Sequence, residues 1–243
     1  MKVISPTWPA PHNIRALTTT RQGGVSQVPF SSLNLGSHVG DNIHHVIANR
    51  QRVVCANHLP KDPLWLNQTH STKVINLSDY DSTDADASYV NQAMTVSVVL
   101  TADCLPVLFC SLSGDEVASA HAGWRGLCDG ILENTVNHFQ CAPSQIMAWF
   151  GPAIGPQKFE VGAEVKAQFE AHDCNASLAF DLIDCKSQKY LADLYLLARQ
   201  RLQKLGITQI YGGEYCTYSQ TDLFYSYRRE KQTGRMASMI WFE

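Results

Sequence analysis

The sequence predicts an α+β fold of layered helices and sheet. Three observations carry that expectation: strand-like runs cluster in the middle of the chain, helical periodicity brackets them, and no regular βαβ alternation joins the two. A chain of 243 residues with 45% hydrophobic and 17% charged side chains can bury a sizeable core. No internal repeat, low-complexity tract or Gly/Ser linker divides it, so residues 1–243 are expected to form one domain.

Taken in order, "IRALTTTRQGGVS" reads as a strand that turns at Gly23 and Gly24. Residues 29–42, "PFSSLNLGSHVGDN", are too rich in Gly, Ser and Asn for a regular element. From Ile43 to Asn57, the spacing of Val46, Ile47, Arg50, Val53 and Val54 predicts an amphipathic helix. A short strand is expected at Lys73–Leu77. Three more follow at 95–102, 105–111 and 116–121, the last two separated by the hairpin-like "SLSGDE". A helix is expected from Gly126 to Phe139, then a strand "QIMAWF" stopped by "GPAIGP". Leu191, Leu194, Ala198, Leu202 and Leu205 form one apolar stripe, which predicts a helix over Lys189–Leu205 with Gly206 as its C′ stop. "ITQIYGG" resumes as a strand.

Composition also removes function classes. A net charge of −3 and a pI near 6.3 give no reason to expect a nucleic-acid partner. "MKVISPTWPAPHN" resembles neither a signal nor a transit peptide, and no stretch approaches the roughly 20 apolar residues that span a bilayer. A cytoplasmic protein with no membrane partner is expected. Eight scattered cysteines without a C-x-x-C pair read mostly as reduced core residues.

The chemistry concentrates in short segments at element ends. "LNQTHST" places His70 before a strand, "TADCLP" places Asp103 and Cys104 between two strands, and "SAHAGWRGLCDG" ends a strand at His121. His121 reads as a ligand, a base or a buried histidine with a satisfied ring. Together His70, Cys104 and His121 make a sensible zinc set, because imidazole and thiolate suit a borderline-soft ion and three ligands leave a fourth position open. Asp103 reads either as a turn residue bonding backbone or as a group that orients a histidine or moves a proton. Gly123 and Gly126 allow a tight turn whose N–H groups face an anion, with Arg125 as a clamp; the alternative is a plain turn with a surface arginine. Trp124 suits core packing or stacking. "DLFYSYRREKQTGRMAS", with Arg228, Arg229, Lys231 and Arg235 among aromatic residues, suits a solvated turn or the wall of an anion pocket.

These segments together carry a resemblance. "TTRQGGVS", "PFSSLNLGSHVGDN", "NQTHS", "TADCLPVLF", "AHAGWRGL", "GPAIGP" and "FYSYRRE…TGRMAS" resemble, in order and from Thr18 to Trp241, the multicopper polyphenol oxidase (laccase) domain family, whose bacterial members are also called purine nucleoside phosphorylases or peptidoglycan editing factors. The resemblance implies a three-layer α/β/α-like sandwich with a mixed central sheet, similar to the catalytic domain of cytotoxic necrotizing factor. It implies zinc held by His70, Cys104 and His121, with copper as the alternative ion. It implies phosphate-dependent cleavage of adenosine, inosine, guanosine and methylthioadenosine, with deamination of adenosine. Cys104, Asp103 and His121 are then the expected catalytic residues, and Arg21, Asn34, Arg50, Arg125 and Arg228 the candidates for holding substrate or phosphate. One departure appears: Ser71 follows His70 where glycine is usual, and a small effect on pocket shape is expected.

Three other readings stand beside this one. A four-copper laccase holds its metals largely through His-x-His pairs, and this chain has nine histidines and no such pair. A metal-free cysteine hydrolase acting on peptidoglycan precursors would use Cys104 as nucleophile and His121 or His70 as base. A binding module with structural zinc would need a fourth protein ligand, for which no motif offers itself. The oligomeric state is left open.

Overall fold

The computed structural model describes residues 1–243. The elements are β1 (Val3–Ile4), β2 (Ile14–Thr19), α1 (Ile43–Ala56), β3 (Val74–Asn76), β4 (Ala87–Val90), β5 (Ser97–Thr101), β6 (Leu105–Ser111) and β7 (Val117–Ala122). They continue with α2 (Trp124–Asp129), α3 (Ile131–Val136), β8 (Ile146–Phe150), β9 (Glu160–Gly162), α4 (Ala163–His172) and β10 (Phe180–Asp184). The chain ends with β11 (Lys189–Ala192), α5 (Leu194–Lys204), β12 (Gln209–Gly212), α6 (Tyr227–Glu230) and β13 (Met236–Phe242).

The largest sheet has six strands in the order β12-β8-β6-β7-β4-β3. It is mixed: β12 pairs parallel with β8 and β3 parallel with β4, and the remaining pairs are antiparallel. Its central strand β6 is buried on both faces, because successive side chains point opposite ways and each face has a cover. Leu105, Val107 and Phe109 meet α2, α3 and α5 through Leu127, Ile131, Leu132, Leu197 and Ala198. Leu108 and Cys110 point to the other side, where Met236, Ile240 and Phe242 of β13 complete a second core. β13 belongs to an antiparallel sheet ordered β1-β2-β13-β5, whose far face packs Leu17, Val98, Met239 and Trp241 against Val53 of α1. The α+β class and the mixed sheet are as expected from sequence. The layering runs helices, mixed sheet, antiparallel sheet, α1, which adds a β layer to the anticipated sandwich.

Two helix boundaries differ from expectation, each for a local reason. The helix expected over Gly126–Phe139 starts at Trp124 and breaks at Gly130, whose φ of 105° is left-handed. Lys189–Ala192 pairs with β9 and β10 as a strand, so the helix expected from Lys189 begins only after Asp193, whose side chain accepts from the Leu196 N–H at 3.0 Å. Gly206 ends that helix as anticipated, with φ 93°. The cysteines also depart from the reading as core residues: all eight are free, Cys110 and Cys128 alone are buried, and Cys55, Cys174 and Cys185 are exposed. No helix is long and apolar enough to cross a membrane.

Removing the cap tests the boundary at Asp193. Asp193→Ala should cost about 1 kcal/mol of stability by urea denaturation, the ordinary value of an N-cap side chain. An unchanged midpoint would show that α5 is fixed by packing alone.

Candidate metal centre

The centre is built around a buried aspartate that the sequence reading did not single out. Asp86 precedes β4, and its side chain is fully buried. Its Oδ1 accepts from the His70 N–H at 3.0 Å and from His121 Nδ1 at 2.8 Å. Its Oδ2 accepts from the N–H groups of Thr69 at 3.2 Å and Ser71 at 2.6 Å, and from the Ser71 hydroxyl at 2.7 Å. Burial alone would push this carboxyl up, but the hydrogen bond and charge of His121 and the bonds from Ser71 outweigh it and hold it down at about 2.

That one carboxylate sets both histidines. His70 stands in a left-handed conformation (φ 61°), and the N–H groups around it are gathered onto Asp86. His121 closes β7, opposite Pro106 of β6, and spends Nδ1 on Asp86, so Nε2 is its free nitrogen. Cys104 enters from the β5–β6 turn, with Sγ 3.7 Å from His70 Nε2. One ligand atom from each of His70, Cys104 and His121 lies within 4.8 Å of the others. Gly123 makes that closeness feasible: a Cβ there would fall 2.7 Å from His70 Cδ2 and 3.1 Å from Cys104 Sγ.

Charge suits the same arrangement. Burial raises the Cys104 thiol, but the charge of His121 and hydrogen bonds from His121 and His70 bring it down to about 6. Burial lowers His121, but the Cys104 thiolate and Asp86 lift it to about 9. Both shifts run in the direction that favours a thiolate beside an imidazolium. A thiolate, two imidazoles and a carboxylate–histidine hydrogen bond behind one of them form a donor set that fits an N/S-preferring divalent ion.

The triad opens onto a cleft of about 430 Å³. Its other walls come from His38, Gln68, Arg125, Tyr227 and Arg235, with Leu100, Thr101 and Ala102 at its base, and no carboxylate lines it. Arg125 lies over the Trp124 ring, 4.5 Å from its centroid. Arg235 spends one guanidinium nitrogen on the carbonyls of Thr233 and Gly234, both at 3.0 Å. His38 is lowered by burial and by the charges of Arg235, Arg50 and His121. The Thr101 hydroxyl is buried without a partner. Gln68 clamps the backbone of Leu100 in both directions, accepting its N–H at 2.7 Å and donating to its carbonyl at 2.8 Å.

Of the substrate candidates, only Arg125 lines this cleft. Arg21 pairs with Glu230 at 2.8 Å and walls a separate depression with Thr221 and Asp222. Asn34 is buried, bonded to Gly36, Asp41 and the Arg235 N–H. Arg50 donates twice to the Leu35 carbonyl and stacks 4.0 Å over Trp65. Arg228 donates to the Glu160 carbonyl and lies over Phe159. These four hold the loops behind the cleft. Asp103 does likewise: its carboxylate accepts from Thr217 Oγ1 at 2.6 Å, Ser226 Oγ at 3.1 Å and Arg228 N at 2.7 Å, so it faces the C-terminal segment and orients no histidine. Those three bonds hold its left-handed backbone (φ 95°) and thereby the turn carrying Cys104. Gly126 admits the Ser71 carbonyl, 2.9 Å from where its Cβ would be, and Trp124 packs against the main core. The Ser71 hydroxyl bears on Asp86, where an effect on pocket shape was expected.

The residues missed were Asp86, His38, Gln68 and Thr101; Tyr227 and Arg235 lie in the segment whose basic and aromatic residues suited an anion-pocket wall, and both line the cleft. Asp86 sits in "DYDSTDADA", where four aspartates look alike in sequence. His38, Gln68, Tyr227 and Arg235 fall inside motifs already singled out, and nothing in their spacing ranked them above their neighbours.

The sequence and its layered fold have counterparts among known proteins. The chain belongs to the family described as multi-copper polyphenol oxidoreductase laccase, which it matches over residues 15–243. It is 56% identical to the purine nucleoside phosphorylase of Haemophilus influenzae, with each chain covered completely. It is also 56% identical to the Escherichia coli purine nucleoside phosphorylase YfiH, covering 99% of this chain and 98% of that one. Among solved structures, a Neisseria meningitidis protein superposes with a TM-score of 0.95 at 48% identity over the whole of both chains. YlmD from Geobacillus stearothermophilus gives 0.84 at 30% identity, covering 100% of this chain and 98% of its own.

The role given to Asp86 predicts that Asp86→Asn weakens zinc binding about 10–100-fold, the usual effect of losing the partner behind a ligating histidine. Competition against a chromogenic chelator measures this, and an unchanged affinity would contradict it.

Proposed function

We propose that this chain is a zinc-dependent purine nucleoside phosphorylase acting on adenosine, inosine, guanosine and methylthioadenosine, with adenosine deaminase activity. The observation that carries the reading is the pairing of a His₂Cys donor set with a carboxylate-free cleft walled by Arg125 and Arg235. The relatives named purine nucleoside phosphorylase, at 56% identity over the full length, support the same class.

His70, Cys104 and His121 would hold the zinc, which when bound supplies Lewis acidity and lowers the pKa of water toward about 7. In phosphorolysis an oxygen of hydrogen phosphate bonds to ribose C1′, the C1′–N9 bond breaks, and the proton the phosphate loses passes to the leaving purine. Arg125 and the free nitrogens of Arg235 hold the phosphate in a cleft where no carboxylate competes. The unpartnered Thr101 hydroxyl is a donor or acceptor for the ribose or the phosphate. In deamination water adds at C6 and ammonia leaves. Cys104 and His121 serve as ligands, and Asp103 is a positioning residue for the Cys104 turn. The eight unpaired cysteines suit a reducing compartment, hence the cytoplasm.

One observation favours a second reading. A Cys104 thiol lowered by His121 and His70, with its Sγ 3.7 Å from His70 Nε2, also suits the nucleophile of a metal-free cysteine hydrolase, with peptidoglycan precursors as substrate. Copper on the same three ligands is the form in which the family's laccase name would apply.

Chromatography of zinc-loaded protein with adenosine, with and without phosphate, separates these readings. Adenine formed only with phosphate, or inosine formed in either tube, is expected, and a chelator should abolish both. In that assay Arg235→Ala should raise the KM for phosphate about tenfold or more, from the loss of a charge-assisted hydrogen bond. No product from zinc-loaded protein would contradict the phosphorylase, and activity that survives the chelator would favour the cysteine hydrolase.

A further inference from the structure

A second group of ligating side chains lies away from the cleft, where the short helix α2 ends. Cys128 and Asp129 are its last two residues, and His172 is the last residue of α4. A Cys128 sulfur, an Asp129 carboxylate oxygen and a His172 ring nitrogen lie within 4.8 Å of one another. An independent feature sits beside them. Glu133, in the first turn of α3, gives Oε1 to Arg201 Nε at 2.7 Å, but its Oε2 is buried with no partner. That oxygen comes back over the helix break, 3.7 Å from where a Cβ on Gly130 would stand. Glu133 and His172 wall one cavity of about 270 Å³.

A buried carboxylate oxygen without a donor is costly, and natural structures seldom leave one so. Arg201 cannot satisfy both oxygens with Nε alone, although its Nη2 stands 3.9 Å from the same point over Gly130. A divalent cation at Cys128, Asp129 and His172 would give Oε2 a counter-charge and a route to a fourth ligand. From the proposed functional site this group is separate: the first centre is made by strand ends, whereas this one ties together the ends of two helices.

We propose that Cys128, Asp129 and His172 form a second metal site, for zinc or a similar N/S-preferring divalent ion, with Glu133 completing or hydrogen-bonding its open position. Thiolate, imidazole and carboxylate together select a borderline ion over calcium or magnesium, which take oxygen ligands. With Zn–S near 2.3 Å and Zn–N near 2.0 Å, tetrahedral ligand atoms stand roughly 3.5 Å apart. Asp129 and His172 are exposed, which leaves their side chains free to turn toward an ion and gives the ion its entry. Cys128 enters as a neutral thiol, raised by burial and by Asp129, and gives up its proton when the metal–sulfur bond forms.

The consequence reaches the first centre through α2. That helix has six residues, about 9 Å of rise, and starts with Trp124 and Arg125 beside Gly123. A metal fixing its C-terminal end to α4 would fix the end that presents Arg125 to the cleft.

The test is zinc stoichiometry of the full-length, metal-stripped protein, read by native mass spectrometry and elemental analysis. The wild type should bind two zinc ions per chain, and His172→Ala, at an exposed position, should bind one. Cys104→Ala should also bind one and, loaded with cobalt(II), still show a thiolate-to-cobalt absorption band that disappears in Cys104→Ala/His172→Ala. A wild type that saturates at one ion, a His172→Ala protein that still takes two, or a Cys104→Ala protein without the band would overturn the proposal.

Discussion

Six hydrogen bonds converge on Asp86, five on its carboxylate and one on its carbonyl, which takes the His121 N–H at 2.7 Å. The arrangement of the centre depends on them. The loop 69–71 has no strand partner of its own at this point, and His70 takes a backbone conformation that non-glycine residues seldom adopt. What holds it is a buried negative charge whose donors include three consecutive N–H groups of that loop. The same charge fixes the tautomer and plane of His121. One side chain thereby brings two histidines from distant parts of the chain to a common point, and the Cys104 turn meets them from β6.

The two-sheet architecture explains how such a charge can be buried. β6 and β7 are covered on both faces, so their ends open in only one direction, toward the cleft. The C-terminal segment closes the far side. Asp103 receives Thr217, Ser226 and Arg228, while Asn34 receives the Arg235 backbone. Asp103 and Asn34 thus brace this segment, from which Arg235 and Tyr227 reach the cleft.

Much of this was legible from sequence, and the failures share a cause. Strands at 97–101, 105–111 and 146–150 follow from β-branched or apolar runs, and α1 from its apolar spacing. His70, Cys104 and His121 could be singled out because each stands at an element end in a segment of distinctive composition, and the family resemblance pointed to the same three. Asp86 was not, because its role is defined by who donates to it, and those donors lie 15 to 35 residues away. That Arg21, Asn34, Arg50 and Arg228 lie outside this cleft was hidden for the same reason: an arginine that clamps a carbonyl and one that faces a cleft look alike until the fold is known. Lys189–Ala192 read as helix because its Leu191 fits the helical stripe of α5, whereas pairing with β9 and β10 decides its conformation.

The central claim is that Asp86 assembles His70, Cys104 and His121 into one metal centre. Anomalous diffraction from zinc-loaded crystals, recorded on both sides of the zinc absorption edge, tests it most directly. The account predicts a peak about 2.0–2.3 Å from a His70 ring nitrogen, Cys104 Sγ and His121 Nε2. Zinc-loaded crystals with no peak within reach of these three atoms, and His121 still bonded to Asp86, would contradict it.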